Sequence, residues 1–165
     1  MTRSETFTFN QIPANAAELS ALPEAVLQTP FQAAALTVLA LCRYCDDKQA
    51  GIDMLNFLKG PQPLSAYEKQ FLQDRLTGKS YVAFSYLGGT SPENNYTPAQ
   101  PLAITVSDNQ YSYAEEGYAK LQIQSSGADS PRPISLRRKG QEQWFLWEQF
   151  LLPDIRKPVE ADPWA

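Results

Sequence analysis

The strongest constraint on this chain lies between residues 117 and 148, where three consecutive stretches read as strands and the first two alternate apolar with polar positions. Ala119, Leu121 and Ile123 point one way while Tyr118, Lys120, Gln122 and Gln124 point the other, the period-two pattern of a sheet with one wet face. Ile134 and Leu136 repeat it against Ser135 and Arg137, and the stretch 143–148 adds Trp144, Phe145 and Trp147. Between the second and third stretches, Lys139, Gly140, Gln141 and Glu142 predict a tight hairpin, with the glycine able to take positive φ. Such a sheet needs a cover for its apolar face.

The first half of the chain offers helices. Asn15 followed three positions on by Glu18 opens a short helix that Pro23 closes. Thr29 and Pro30 start the next, a capping residue followed by proline where its missing N–H costs nothing. From 31 to 45 that helix is apolar nearly all round, so it belongs in the centre of the domain. Asp46 and Asp47 cap a third helix ending at Gly60, with Ile52, Met54, Leu55 and Leu58 inward. Ser65 and Glu68 form a capping box for a fourth, with Phe71, Leu72 and Leu76 inward and Gly78 at its end.

After Gly78 the composition turns to β formers, and 81–87 reads as a strand ending at Gly88 and Gly89. Residues 90–101 read as a long polar loop, either functional or poorly ordered, followed by a short strand at 102–106 and a turn at 107–109. Alternating Thr and Phe in 5–12 supply an edge strand or an extended arm. Helices first and an antiparallel sheet last give an α+β fold, with N-terminal helices packed on a curved C-terminal sheet. At 165 residues one domain is expected over 1–165, with an arm at 1–14 and a proline-bearing tail at 151–165 that ends near Trp164.

Composition narrows the chemistry. The chain has no histidine, which excludes Ser-His-Asp and Cys-His nucleophiles and most catalytic zinc sites. No metal or other cofactor is expected. A net charge of −4 argues against a nucleic-acid partner, because phosphate neutralisation needs a basic field. Cys42 and Cys45 form a C-x-x-C at the C-terminal end of the central helix, where the dipole raises a thiol's pKa, so they read as core residues. The amino terminus lacks the pattern of a signal peptide, and the apolar run from 31 to 42 is shorter than the ~20 residues of a membrane span. A cytoplasmic protein with no membrane partner is the expectation.

Candidate recognition residues cluster outside the helices. Tyr96, Tyr111, Tyr113, Tyr118, Trp144 and Trp147 combine apolar area with a polar handle, which suits a ligand pocket or an interface, or else simply packs the sheet. Glu115 is a candidate carboxylate, although Glu116 beside it would point to the other face of a strand. Arg132 and Arg137 are read as an anion clamp, and Asp129 as a turn residue bonded to the backbone or to Arg132. Residues 88–91 lack the lysine and spacing of a phosphate loop.

The segments 116–120, 127–132 and 144–156 together resemble an uncharacterised bacterial family of similar length, a resemblance that covers most of the chain and carries no activity or catalytic residues with it. The closing hairpin, a basic strand followed by a Trp-rich one, also resembles the last hairpin of cystatin-like domains of the nuclear transport factor 2 type. That resemblance implies a curved sheet wrapped around helices with a pocket between them. The function expected is a non-enzymatic module that binds a protein or small molecule through the aromatic loop side. The alternative is a small pocket enzyme of isomerase or hydrolase type, working with a carboxylate and a tyrosine. A homodimer formed by sheet pairing is a third expectation.

Overall fold

The structure, a computed structural model, describes residues 2–165. Its elements run β1 (Ser4–Phe9), α1 (Ala16–Ser20), α2 (Pro30–Tyr44), α3 (Lys48–Lys59), α4 (Ala66–Leu76), α5 (Ser80–Phe84), β2 (Leu102–Ser107), β3 (Tyr118–Ile123), β4 (Arg132–Lys139) and β5 (Gln143–Gln149). The fold is α+β, with all five helices preceding four of the five strands.

The helix ends follow the capping chemistry in the sequence. Asn15 accepts from the Glu18 amide at 3.0 Å, and Asp47 from the Ala50 amide at 3.2 Å. Thr29 with Gln32 and Ser65 with Glu68 form reciprocal capping boxes. Gly60 ends α3 at φ 67°, a backbone state that glycine adopts without a Cβ penalty.

Every residue from 33 to 42 in α2 is buried, Thr37 included, whose hydroxyl turns back onto the Ala33 carbonyl at 2.8 Å. A helix without a wet face must be covered on all sides, and here the sheet curls around it as a half-barrel. The strands lie in the order β1-β2-β3-β4-β5, each antiparallel to its neighbour. Alternation decides the inner face: Ile104, Val106, Ala119, Leu121, Ile134 and Leu136 are fully shielded beneath α2. β1 crosses from the start of the chain to add Phe7 and Phe9 to that face. Ladder pairing between β2 and β3 is short, from Val106–Ile123 to Ser107–Gln122. Beyond it the intervening segment folds back on β3, with Lys120 donating to the Ser112 carbonyl at 2.9 Å.

The stretch 81–87 is not a strand. It holds α5 and the turn after it, and its buried residues Val82, Ala83, Tyr86 and Leu87 recur with helical spacing against α2. Tyr86 fixes this segment to the C-terminal tail by donating to the Leu151 carbonyl. The long loop at 90–101 is pinned rather than loose. Ser91 and Asn94 cap a short 3₁₀ turn, and Tyr96 reaches the Arg156 carbonyl at 2.5 Å. No helix of the described residues is long and apolar enough to cross a membrane.

α2 and α3 approach so closely that only glycine fits at position 51, because a Cβ there would overlap the Cα and Cβ of Tyr44. Replacing Gly51 by alanine should therefore destabilise the protein by about 1–3 kcal/mol. Intrinsic helix propensity alone predicts the opposite sign, a gain of about 1 kcal/mol. Urea unfolding of Gly51→Ala decides between the two.

Candidate functional site

The end of β5 gathers the unusual surface of the molecule. A β-bulge sets Ser135 opposite Glu148 but Leu136 opposite Leu146, so Trp147 is the extra residue. Its carbonyl accepts a hydrogen bond at 3.1 Å from Lys59, whose ammonium also meets Glu68 at 2.9 Å. Lys59 is only 7% exposed, a cation held under the sheet edge by one carboxylate and one carbonyl.

Two grooves open on either side of this strand end. The first, of about 310 Å³, runs between α4 and β5. Tyr67 and Phe71 on α4, with Leu64 just before it, form one wall, Leu146 on β5 and Phe150 just after it form the other, and Leu41 with Leu55 line the hollow between them. Tyr67 is 78% exposed although it faces an apolar hollow. The second groove, of about 440 Å³, lies on the outer face and is lined by Tyr111, Glu115, Tyr118, Lys120, Trp147 and Phe150 among others. Tyr118 meets Trp147 edge-on with ring centres 5.9 Å apart. The Arg137 guanidinium lies 4.7 Å from the Trp147 ring centre and 5.4 Å from that of Tyr118, a cation–π arrangement that orients all three.

The fold thus brings Tyr111, Glu115, Arg137 and Trp147 together. Tyr113 stays on the same segment, half exposed, with its hydroxyl bonded to Asp108 at 3.3 Å. Burial raises its phenol pKa, as do Asp108's charge and hydrogen bond. Tyr96 belongs elsewhere. It is 2% exposed and stacked on Tyr81 in the floor of a different cleft, between the 95–98 loop and the start of α5. Arg132 does not join Arg137: five positions apart on one strand, they face opposite sides, and Arg132 donates to the Asp154 carbonyl at 3.1 Å. The clamp read from the sequence is not formed. Asp129 pairs with Arg156 at 2.9 Å rather than with Arg132. Trp144 packs against the core and under Arg138, and Trp164 is exposed.

Lys59, Tyr67, Glu68, Phe71 and Phe150 were not singled out as site residues by the sequence reading. A trace existed: Tyr67 and Phe71, one turn apart, share one side of α4 beside the buried Leu72 and Leu76, so its apolar stripe is wider than the core requires.

Few of these groups suit acid–base chemistry. Burial pushes the Glu68 carboxyl up, but the Ser65 amide and the bonded Lys59 ammonium outweigh it and hold the group below its ordinary value of 4.5. Both thiols are raised, Cys42 by complete burial and the nearby Cys45, and Cys45 to about 12 by burial and the charge of Asp46. Among the described residues no three metal-ligating side chains gather.

Comparison with known proteins adds one finding. The sequence profile of a family described as a domain of unknown function (DUF6935) matches residues 11–159. The chain belongs to that family. No curated protein matches the chain. No solved structure matches it either. The family match begins after β1 and spans every element from α1 to β5, so both grooves lie within it.

The two tyrosines placed differently by the fold make a direct test. Tyr96→Ala should cost about 3 kcal/mol, as truncation of a buried ring does, whereas Tyr113→Ala should stay within about 0.5 kcal/mol. Thermal melts of the two variants measure this.

The Lys59–Glu68 pair gives a second test with a defined sign. A carboxylate depressed in the folded state contributes stability above its ordinary pKa and loses it as pH falls through the lower folded value. Glu68→Gln should be less stable at neutral pH by about 1–2 kcal/mol, since Glu68 is one-third exposed and partly screened. The gap to the native chain should close as pH drops below 4.5, which unfolding curves across an acid series would follow.

Proposed function

We propose that this chain is a non-enzymatic module that binds an apolar segment of a partner protein across the end of β5. The observation that carries the reading is that Trp147, Glu148 and Phe150 line both grooves, which makes the two hollows one continuous surface. That surface presents Tyr67 and Phe71 on one side of the strand, Tyr111 and Tyr118 on the other, and Trp147 and Phe150 between them. Aromatic rings concentrated in this way are what interface centres use, because they supply large area at low cost in side-chain entropy. A small molecule would fill one hollow and leave the other rings in water.

The catalytic alternative is weaker on physical grounds. A general base working near neutral pH needs a raised carboxyl pKa, and Glu68 in the first groove is held low by the Ser65 amide and the Lys59 ammonium, which together outweigh its burial. The pairing favours a fixed scaffold over proton transfer.

A photo-crosslinking benzophenone residue placed at position 67 or 150 should capture the partner, whose affinity for the purified chain is then measured. Phe150→Asp, at a 43%-exposed site, should weaken that binding at least about tenfold with the melting temperature unchanged. Undiminished affinity in both Phe150→Asp and Tyr67→Ser would overturn the reading.

A further inference from the structure

The two edges of the sheet are finished differently. On β5 the Trp144 amide is taken by the Leu27 carbonyl at 2.8 Å, Lys59 covers the Trp147 carbonyl, and the bulge breaks the ladder. These devices stop another strand from adding there. β1 has none of them: its six residues pair without a bulge, contain no proline, and leave Ser4, Thr6 and Thr8 exposed.

Its hydrogen-bond phase is fixed. The Asp108 amide donates to the Arg3 carbonyl at 2.9 Å, which makes Arg3–Asp108 a bonded pair. Antiparallel ladders alternate, so Ser4, Thr6 and Thr8 sit at the closely spaced non-bonded positions and turn their own N–H and C=O groups away from β2. The hydroxyls agree, with Ser4 and Ser107 bridged at 2.8 Å and Thr6 and Thr105 at 2.8 Å. Among the described residues no hydrogen bond reaches those outward backbone groups.

We infer that β1 pairs antiparallel with β1 of a second copy, about a twofold axis at Ser4. Charge selects both occupant and register. Arg3 and Glu5 lie on one face, joined at 2.8 Å, with the guanidinium 4.9 Å from the Phe31 ring centre. Centred on Ser4, Arg3 of each copy stands opposite Glu5 of the other, and the four charges alternate around a ring. Centred on Thr6, Glu5 would instead face Phe7, with the two Glu5 side chains on the diagonal. A twofold contact requires a self-complementary patch, and this pattern is one. The chain's net charge of −4 opposes association of copies, so the local match must supply the attraction.

Sedimentation velocity of the full chain tests this. The native protein should be dimeric at about 200 μM and dissociate as salt rises. Ser4→Pro should be monomeric with an unchanged melting temperature, since proline is tolerated where the amide points away from the ladder. Arg3→Glu and Glu5→Arg should each be monomeric, and the double exchange R3E/E5R should restore the dimer. A monomeric native chain overturns the inference, as does a dimer that survives Ser4→Pro and both charge reversals, or a double exchange that stays monomeric. Phe150→Asp should leave the dimer intact, which separates this result from the β5 surface.

Discussion

A helix with no polar face sets the terms for the rest of this molecule. α2 cannot lie on a surface, so the chain must surround it, and helices alone do not: α3 and α5 take one side and the sheet the other. Four strands follow the helices in sequence, and the fifth is brought from the opposite end of the chain, where Phe7 and Phe9 complete the inner face. Close packing does the remainder, with glycine at position 51 allowing α3 to lie against Tyr44.

With the concave side filled by α2, the outside and the ends of the sheet are what remains open to solvent. β5 carries more aromatic area than the core absorbs, and α4, whose buried residues are only Leu72 and Leu76, leaves a hollow beside it. The Lys59–Glu68 pair stands at the junction of α3, α4 and β5. Its cost in desolvation is offset by the carbonyl of Trp147, and in return the bulged strand end is held in one position. A rigid aromatic edge is better suited to binding than a mobile one, because less entropy is lost on association.

Capping residues were legible because their chemistry is local: Asn15, Thr29, Asp47 and Ser65 each need only a neighbour three positions away. The strands at 118–123 and 132–139 were legible because alternation survives any tertiary context that keeps one face dry. Residues 81–87 were misread because β-branched and aromatic side chains also suit a short helix once it is buried, and packing against α2 overrode propensity. Tyr96, Tyr111 and Tyr113 look alike in sequence, yet the first is core and the other two are surface.

The sequence by itself determined the capped helices, the buried α2 and the two-sided character of the strands, since each follows from periodicity and short-range hydrogen bonding, while 81–87 took its helical form only from packing. Only the tertiary structure decided which aromatic rings face water, that Arg132 and Arg137 part company, and that Lys59 meets both Glu68 and the Trp147 carbonyl. These depend on contacts between residues as far apart as positions 59 and 147, and nothing in the local pattern encodes the distance between them.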